Sequence, residues 1–104
     1  MKESTIRTQI LTYLNSLPNS HFLINRPGAQ SGEADITGCI NGRRCEFEVK
    51  KMGYKGRKLQ LYKLGLWKEA KAITAVVHSV LETQQVLFAF GILKNEEEPH
   101  EPLP

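Results

Sequence analysis

Three side chains in this sequence could share one piece of chemistry: Asp35, Glu48 and Lys50, the last two standing as Glu48-Val49-Lys50 after twelve residues that follow Asp35. Two carboxylates and an ammonium can hold a hard divalent cation and lower the pKa of a water bound to it. They can also offset the charge that develops on a phosphoryl oxygen during hydrolysis. Whether they can meet depends on the stretch between them. Two strand-forming runs flank Asn41-Gly42, and Asn-Gly in that setting is the strongest short-range signal for a hairpin with a two-residue type I′ turn.

With Asn41 and Gly42 as the loop, Ile40 faces Arg43, Asp35 faces Glu48 and Glu33 faces Lys50. Asp35, Glu48 and Lys50 then lie on one face, with Glu33 and Glu46 at its rim. Ala34, Ile36, Ile40, Cys45, Phe47 and Val49 form the core face by period-2 alternation. Asp35 and Glu48 fall on a non-hydrogen-bonded pair, where opposed Cα atoms stand about 4.5 Å apart, so two carboxylates there need positive charge. Lys50 supplies part of it, and a hard divalent cation with oxygen ligands at about 2.1 Å would supply the rest. A three-residue loop, or a bulge at Gly38, would slip the register and separate the pair.

The elements that must position this cluster follow from pattern. Ser4 to Leu17 reads as an amphipathic helix with Ile6, Ile10, Leu14 and Leu17 inward, stopped by Pro18. Phe22 to Asn25 reads as a short strand, followed by a turn-rich loop from Arg26-Pro27-Gly28 through Gly32. After the hairpin, Met52 to Lys58 carries two glycines among basic residues and reads as a mobile loop. Leu59 to Ala70 is helical by pattern, with Leu59, Tyr62, Leu66 and Ala70 as its core stripe. Ile73 to His78 reads as a buried strand, parallel to the strand it follows through that crossover helix. Ser79 with Glu82 forms a capping box for a helix that runs to about Phe90 and closes at Gly91. The expected architecture is α/β, a small mixed sheet flanked by helices in a single domain over residues 1–94. Residues 95–104 form an acidic, proline-punctuated tail expected to be disordered.

The formal net charge is +3, yet the last ten residues hold four of the eleven acids and no Lys or Arg, which leaves the body at +7. Eight basic residues lie between Lys50 and Lys71, opposed there only by Glu69. A polyanion is the natural partner of such a segment, and a solvated basic helix face is the plainer reading. Lys51, Lys55, Arg57 and Lys58 are the candidate phosphate contacts, and Tyr54 is placed to stack on an unpaired base. Trp67 could be core or subunit contact. Cys39 and Cys45 fall on opposite faces of the hairpin and no CxxC spacing exists, so neither a disulfide nor zinc is expected. Free thiols, no signal-type apolar segment and no run of eighteen apolar residues point to a cytoplasmic protein without a membrane span. His21 and His78 have no partner at ligand spacing and read as structural.

Asp35, twelve residues, then Glu48-Val49-Lys50 resembles the Asp and Glu-x-Lys signature of the PD-(D/E)XK nucleases. Within that superfamily, Gly32-Glu33-Ala34-Asp35-Ile36, the strand ending Phe47-Glu48-Val49-Lys50, a Gly-containing loop and Gln60 at a helix start are similar to the VRR-NUC branch, the virus-type replication-repair nucleases. The similarity spans about Met1 to Val80, with Ala34 where the family places a proline before the Asp. It implies a restriction-endonuclease-like core and Mg²⁺- or Mn²⁺-dependent cleavage of DNA. Asp35, Glu48 and the Val49 carbonyl would bind the metal, Lys50 would assist the nucleophilic water, and Gln60 would complete the site. Glu3, where the family carries a helical acid, would be a further catalytic and metal-binding side chain. Small stand-alone phage members resemble Holliday-junction resolvases that act as homodimers, which implies a branched or four-way DNA substrate and a second copy as partner. Leu64, Trp67, Leu87, Phe88 and Phe90 are the apolar residues that could serve that contact. A non-catalytic nucleic-acid-binding module on the same fold is the alternative; a restriction-like enzyme would need added sequence to read base edges.

Overall fold

The computed structural model describes residues 1–25 and 32–94, so most of the expected turn-rich loop and the acidic tail lie outside the described residues. The elements run α1 (Glu3–Ser16), β1 (Ser20–Ile24), β2 (Ile36–Ile40), β3 (Arg43–Val49), α2 (Lys58–Glu69), β4 (Ile73–Val77) and α3 (Val80–Ala89). The four strands form one sheet in chain order. β1, β2 and β3 pair antiparallel, and β4 returns parallel to β3 through the α2 crossover.

The hairpin turn is the one its residues demand. Asn41 and Gly42 have φ of 51° and 77°, the two positive values that a type I′ turn requires. Pairing runs in register from Ile40 opposite Arg43 to Ile36 opposite Phe47. No bulge interrupts it at Gly38. That residue is bare for another reason: a Cβ there would stand 2.3 Å from the His21 carbonyl oxygen and 2.5 Å from the Phe22 ring.

One face of the sheet makes the apolar core. Ile36 and Ile40, Cys45, Phe47 and Val49 project onto it by alternation and meet Ile6, Ile10, Leu14 and Leu17 of the α1 segment, Phe22, Ile73, Val77 and Leu87. The Phe22 and Phe47 rings stack with centroids 6.3 Å apart. Ser79 caps α3 by accepting from the Glu82 N–H at 3.1 Å, and Gly91, at φ 78°, closes the helix end. Glu82 does not complete a standard capping box. Its carboxylate accepts from the His78 N–H, one residue further back.

The opposite face holds the chemistry. β3 directs Glu46 and Glu48 there, both of them buried, and α2 lays Gln60 against Glu48. This packing corrects the expected stripe on α2. Leu59, Tyr62 and Leu66 are 46%, 64% and 49% exposed and Ala70 is exposed too, while Gln60 and Leu64 turn inward. A helix rolls to bury what its neighbour can satisfy, and β3 offers carboxylates on this side, so an amide meets them. Leu64 and Leu87, candidates for a subunit contact, are buried within the chain itself, whereas Phe88 and Phe90 are exposed. Trp67 is half-buried beneath the Arg44 guanidinium, 4.3 Å from its ring centroid. Cys39 is exposed and Cys45 buried, both free. Among the described residues, no helix is long and apolar enough to cross a membrane.

Candidate active site

Glu48 is the centre of the cluster. It sits one residue before the end of β3, where Lys50 N–H continues the parallel pairing to the Val77 carbonyl at 3.0 Å. Its Oε2 accepts from Gln60 Nε2 at 2.5 Å and lies 3.2 Å from Lys50 Nζ. Its Oε1 is buried with no hydrogen-bond partner among the described residues. Burial, and then the charge of Asp35, raise the Glu48 pKa to about 7, against the opposing pull of Lys50.

Asp35 reaches Glu48 by a route that strand pairing alone does not supply. The β2–β3 ladder stops at Ile36 opposite Phe47, one pair short of the expected Asp35–Glu48 pair. Instead, Asp35 Oδ2 accepts from the Val49 N–H at 2.8 Å. The Ala34 carbonyl, which a continued ladder would have offered to Val49, accepts from Asn25 Nδ2 at 2.6 Å, and the Asn25 N–H donates to the Asp35 carbonyl at 2.8 Å. Asn25 therefore straps the segment that presents Asp35. No sequence signal marked it, because it stands just ahead of the Arg26-Pro27-Gly28 sequence and reads as a strand end.

Gln60 is positioned by the start of α2. Its Oε1 accepts from the Arg57 N–H at 2.9 Å, which satisfies a free helix donor, and its Nε2 is left to face Glu48. An amide can do both, whereas a glutamate there would set a third carboxylate against the pair. Glu33 pairs with Lys63 at 3.6 Å rather than with Lys50, and Glu46 Oε2 accepts from Arg44 Nε at 2.7 Å and from the Thr37 hydroxyl. Glu3 opens α1, partly exposed, and no hydrogen bond or ion pair joins it to Asp35 or Glu48 among the described residues. The residue that α1 does bring to the cluster is Arg7, whose Nη1 lies 3.8 Å from Asp35 Oδ1. Its only sequence signal was the i, i+4 spacing from Glu3.

The loop from Lys51 to Arg57 borders the cluster, and Lys51, Tyr54, Lys55, Arg57 and Lys58 are all exposed along it. Its backbone is held at Arg57, whose N–H donates to Gln60, and at Tyr54, whose carbonyl oxygen is 2.8 Å from His78 Nε2; His78 Nδ1 is 2.8 Å from Glu82 Oε1.

A search of solved structures places the chain beside a chain described as "VRR_NUC domain", with a TM-score of 0.70 and 18% identity over 82% of this chain and 92% of that one. The fold is that of a VRR_NUC domain. The sequence matches no family model and no curated protein. On this VRR_NUC fold the residues present suit a divalent cation. Among the described residues no three His, Cys, Asp or Glu side chains stand together at metal spacing. Two carboxylates do interact, however: the Asp35 charge raises the Glu48 pKa, and Glu48 keeps a buried oxygen without a hydrogen-bond partner among the described residues. A cation would answer both features.

Proposed function

We propose that this protein is a Mg²⁺- or Mn²⁺-dependent endonuclease that hydrolyses phosphodiester bonds in DNA, acting on branched substrates such as four-way junctions as a homodimer. The observation that carries the reading is Glu48: a carboxylate buried against Asp35, with one oxygen unpartnered and Lys50 beside the other. Burying like charges costs stability, and a module that only bound DNA would gain nothing from carboxylates beside phosphates.

Asp35, Glu48 and the Val49 carbonyl would hold the cation, and Glu3, expected as a further donor, does not stand with the two carboxylates at metal spacing. When bound, the cation supplies Lewis acidity to the phosphoryl oxygen and lowers the pKa of the attacking water. Gln60 holds Glu48 through Oε2 and so leaves Oε1 free. Lys50, only 15% exposed, orients the water and offsets negative charge on the phosphoryl group. Lys51, Lys55, Arg57 and Lys58 take neighbouring phosphates, and Tyr54 stacks on an unpaired base. Two opposed cuts in a junction need two sites, and the described residues of one chain hold a single such cluster.

The test is incubation of the protein with labelled linear, splayed and four-way DNA, with EDTA, Mg²⁺ or Mn²⁺, alongside Lys50→Ala. Metal-dependent cleavage with preference for the junction is expected, and Lys50→Ala should lose about a hundredfold or more in turnover while still binding DNA. Binding without cleavage under every condition would make the chain a nucleic-acid-binding module.

A further inference from the structure

The Arg7 guanidinium has no task in the chemistry above. It stands on α1 between Ile6 and Ile10, whose burial in the core fixes the orientation of that helix. Its side chain is 31% exposed, and its Nε is buried with no hydrogen-bond partner among the described residues. The nearest acid oxygen, Asp35 Oδ1, is 3.8 Å from Nη1, beyond hydrogen-bond reach. A structural Arg–carboxylate pair closes to about 2.7–2.9 Å, often through both arms of the fork. Here the charge is placed beside the site, but its donors are not spent.

We propose that Arg7 is the phosphate-gripping residue of this site, its fork donating to the non-bridging oxygens of the phosphodiester that lies against Asp35 and Glu48. This rests on the nuclease reading. A planar guanidinium with five N–H donors matches two oxygens of one phosphate, a fork that neither the Lys50 ammonium, 3.2 Å from Glu48, nor the exposed lysines of the loop offer, and no ion pair joins the loop's Arg57 to Asp35 or Glu48 among the described residues. Asp35 holds the guanidinium near by charge alone. A cation held by Asp35 and Glu48 would offset the Asp35 charge, weaken that attraction and leave the fork's donors to the substrate.

The experiment compares wild type, Arg7→Ala, Arg7→Lys and Arg7→Gln in three measurements: cleavage of a labelled four-way junction, affinity for the same DNA in EDTA, and the rise in melting temperature caused by Mn²⁺. Arg7→Ala should lose about a hundredfold in turnover, and Arg7→Lys should recover little of it because charge without the fork does not suffice. The Mn²⁺-induced rise should persist in all four proteins. Turnover of Arg7→Ala within threefold of wild type would overturn the proposal, as would full recovery by Arg7→Lys or loss of the Mn²⁺ response, which would show Arg7 acting through Asp35. Arg7→Gln keeps the length and polarity of the side chain, and serves if the alanine variant does not fold. If wild type cleaves nothing in Mg²⁺ or Mn²⁺, the nuclease reading has failed. A fivefold or greater loss of DNA affinity in Arg7→Ala would then still support a phosphate contact, and unchanged affinity would remove that as well.

Discussion

Glu48 is kept where its own charge is unwelcome. Its pKa of about 7 lies above the ordinary carboxylate value because burial and then Asp35 oppose ionisation, with the help of Lys50 already included. A folded-state pKa above the unfolded one means that the folded chain binds the proton more tightly. Stability from this group is therefore fully present below about pH 4.5 and is lost as pH rises through about 7. Glu48→Gln keeps the shape and removes the charge. Without metal at pH 8 it should melt higher than wild type by several degrees, for a gain of about 1–3 kcal/mol, and at pH 4.5 the two should nearly coincide. The same variant should lose both the Mn²⁺-induced rise in melting temperature and cleavage. Thermal melts at the two pH values, with and without Mn²⁺, check each part.

Among the elements, the junction of β4, α3 and the basic loop depends on one ring. Both His78 nitrogens face acceptors, the Glu82 carboxylate and the Tyr54 carbonyl, so only the imidazolium donates to both. These two contacts, Glu82 foremost, raise the His78 pKa. A raised histidine pKa stabilises fully below the unfolded value of about 6.5, and that contribution is lost as pH rises through the folded value. The clasp on the loop should therefore loosen on the alkaline side. By ¹⁵N relaxation, amide order over residues 51–57 should fall between pH 5.5 and 8.5 in wild type. In His78→Phe it should be low at both values. Equal order at both pH values in wild type would show that the loop is held by something other than this ring.

At the scale of the whole molecule, the sheet separates two environments. One face is an apolar core under α1 and α3, and the other carries carboxylates beneath α2, beside a segment with eight basic residues between Lys50 and Lys71. Positive charge thus gathers around the acids rather than opposite them, which suits a phosphate chain led to a cation site. With one such cluster per chain among the described residues, the junction cleavage proposed above would call for two copies to make two opposed cuts. Sedimentation at micromolar concentration should report about twice the chain mass of 11.8 kDa. Mixtures of wild type with Lys50→Ala should yield junctions nicked on one strand. A monomer that cuts both strands symmetrically would refute the pairing.

The parts of this protein legible in its sequence are those that local rules decide. Asn41-Gly42 sets a turn whose geometry dictates the register, and alternation then assigns Ile36, Ile40, Cys45, Phe47 and Val49 to one face and Glu48 and Lys50 to the other. The α1 stripe, the parallel return of β4 and the Ser79 cap follow from period, chain crossover and side-chain chemistry in the same way. What tertiary structure alone decided concerns residues whose partners are distant in the chain. The roll of α2 put Gln60 against Glu48 and left Leu59, Tyr62 and Leu66 outside, because the inward side of a helix depends on what the opposing sheet can satisfy. Asn25 straps Asp35, Arg7 approaches it from α1, and His78 holds Tyr54 from 24 residues away. Periodicity records which face a residue occupies, and says nothing of which polar atom across the fold will meet it there.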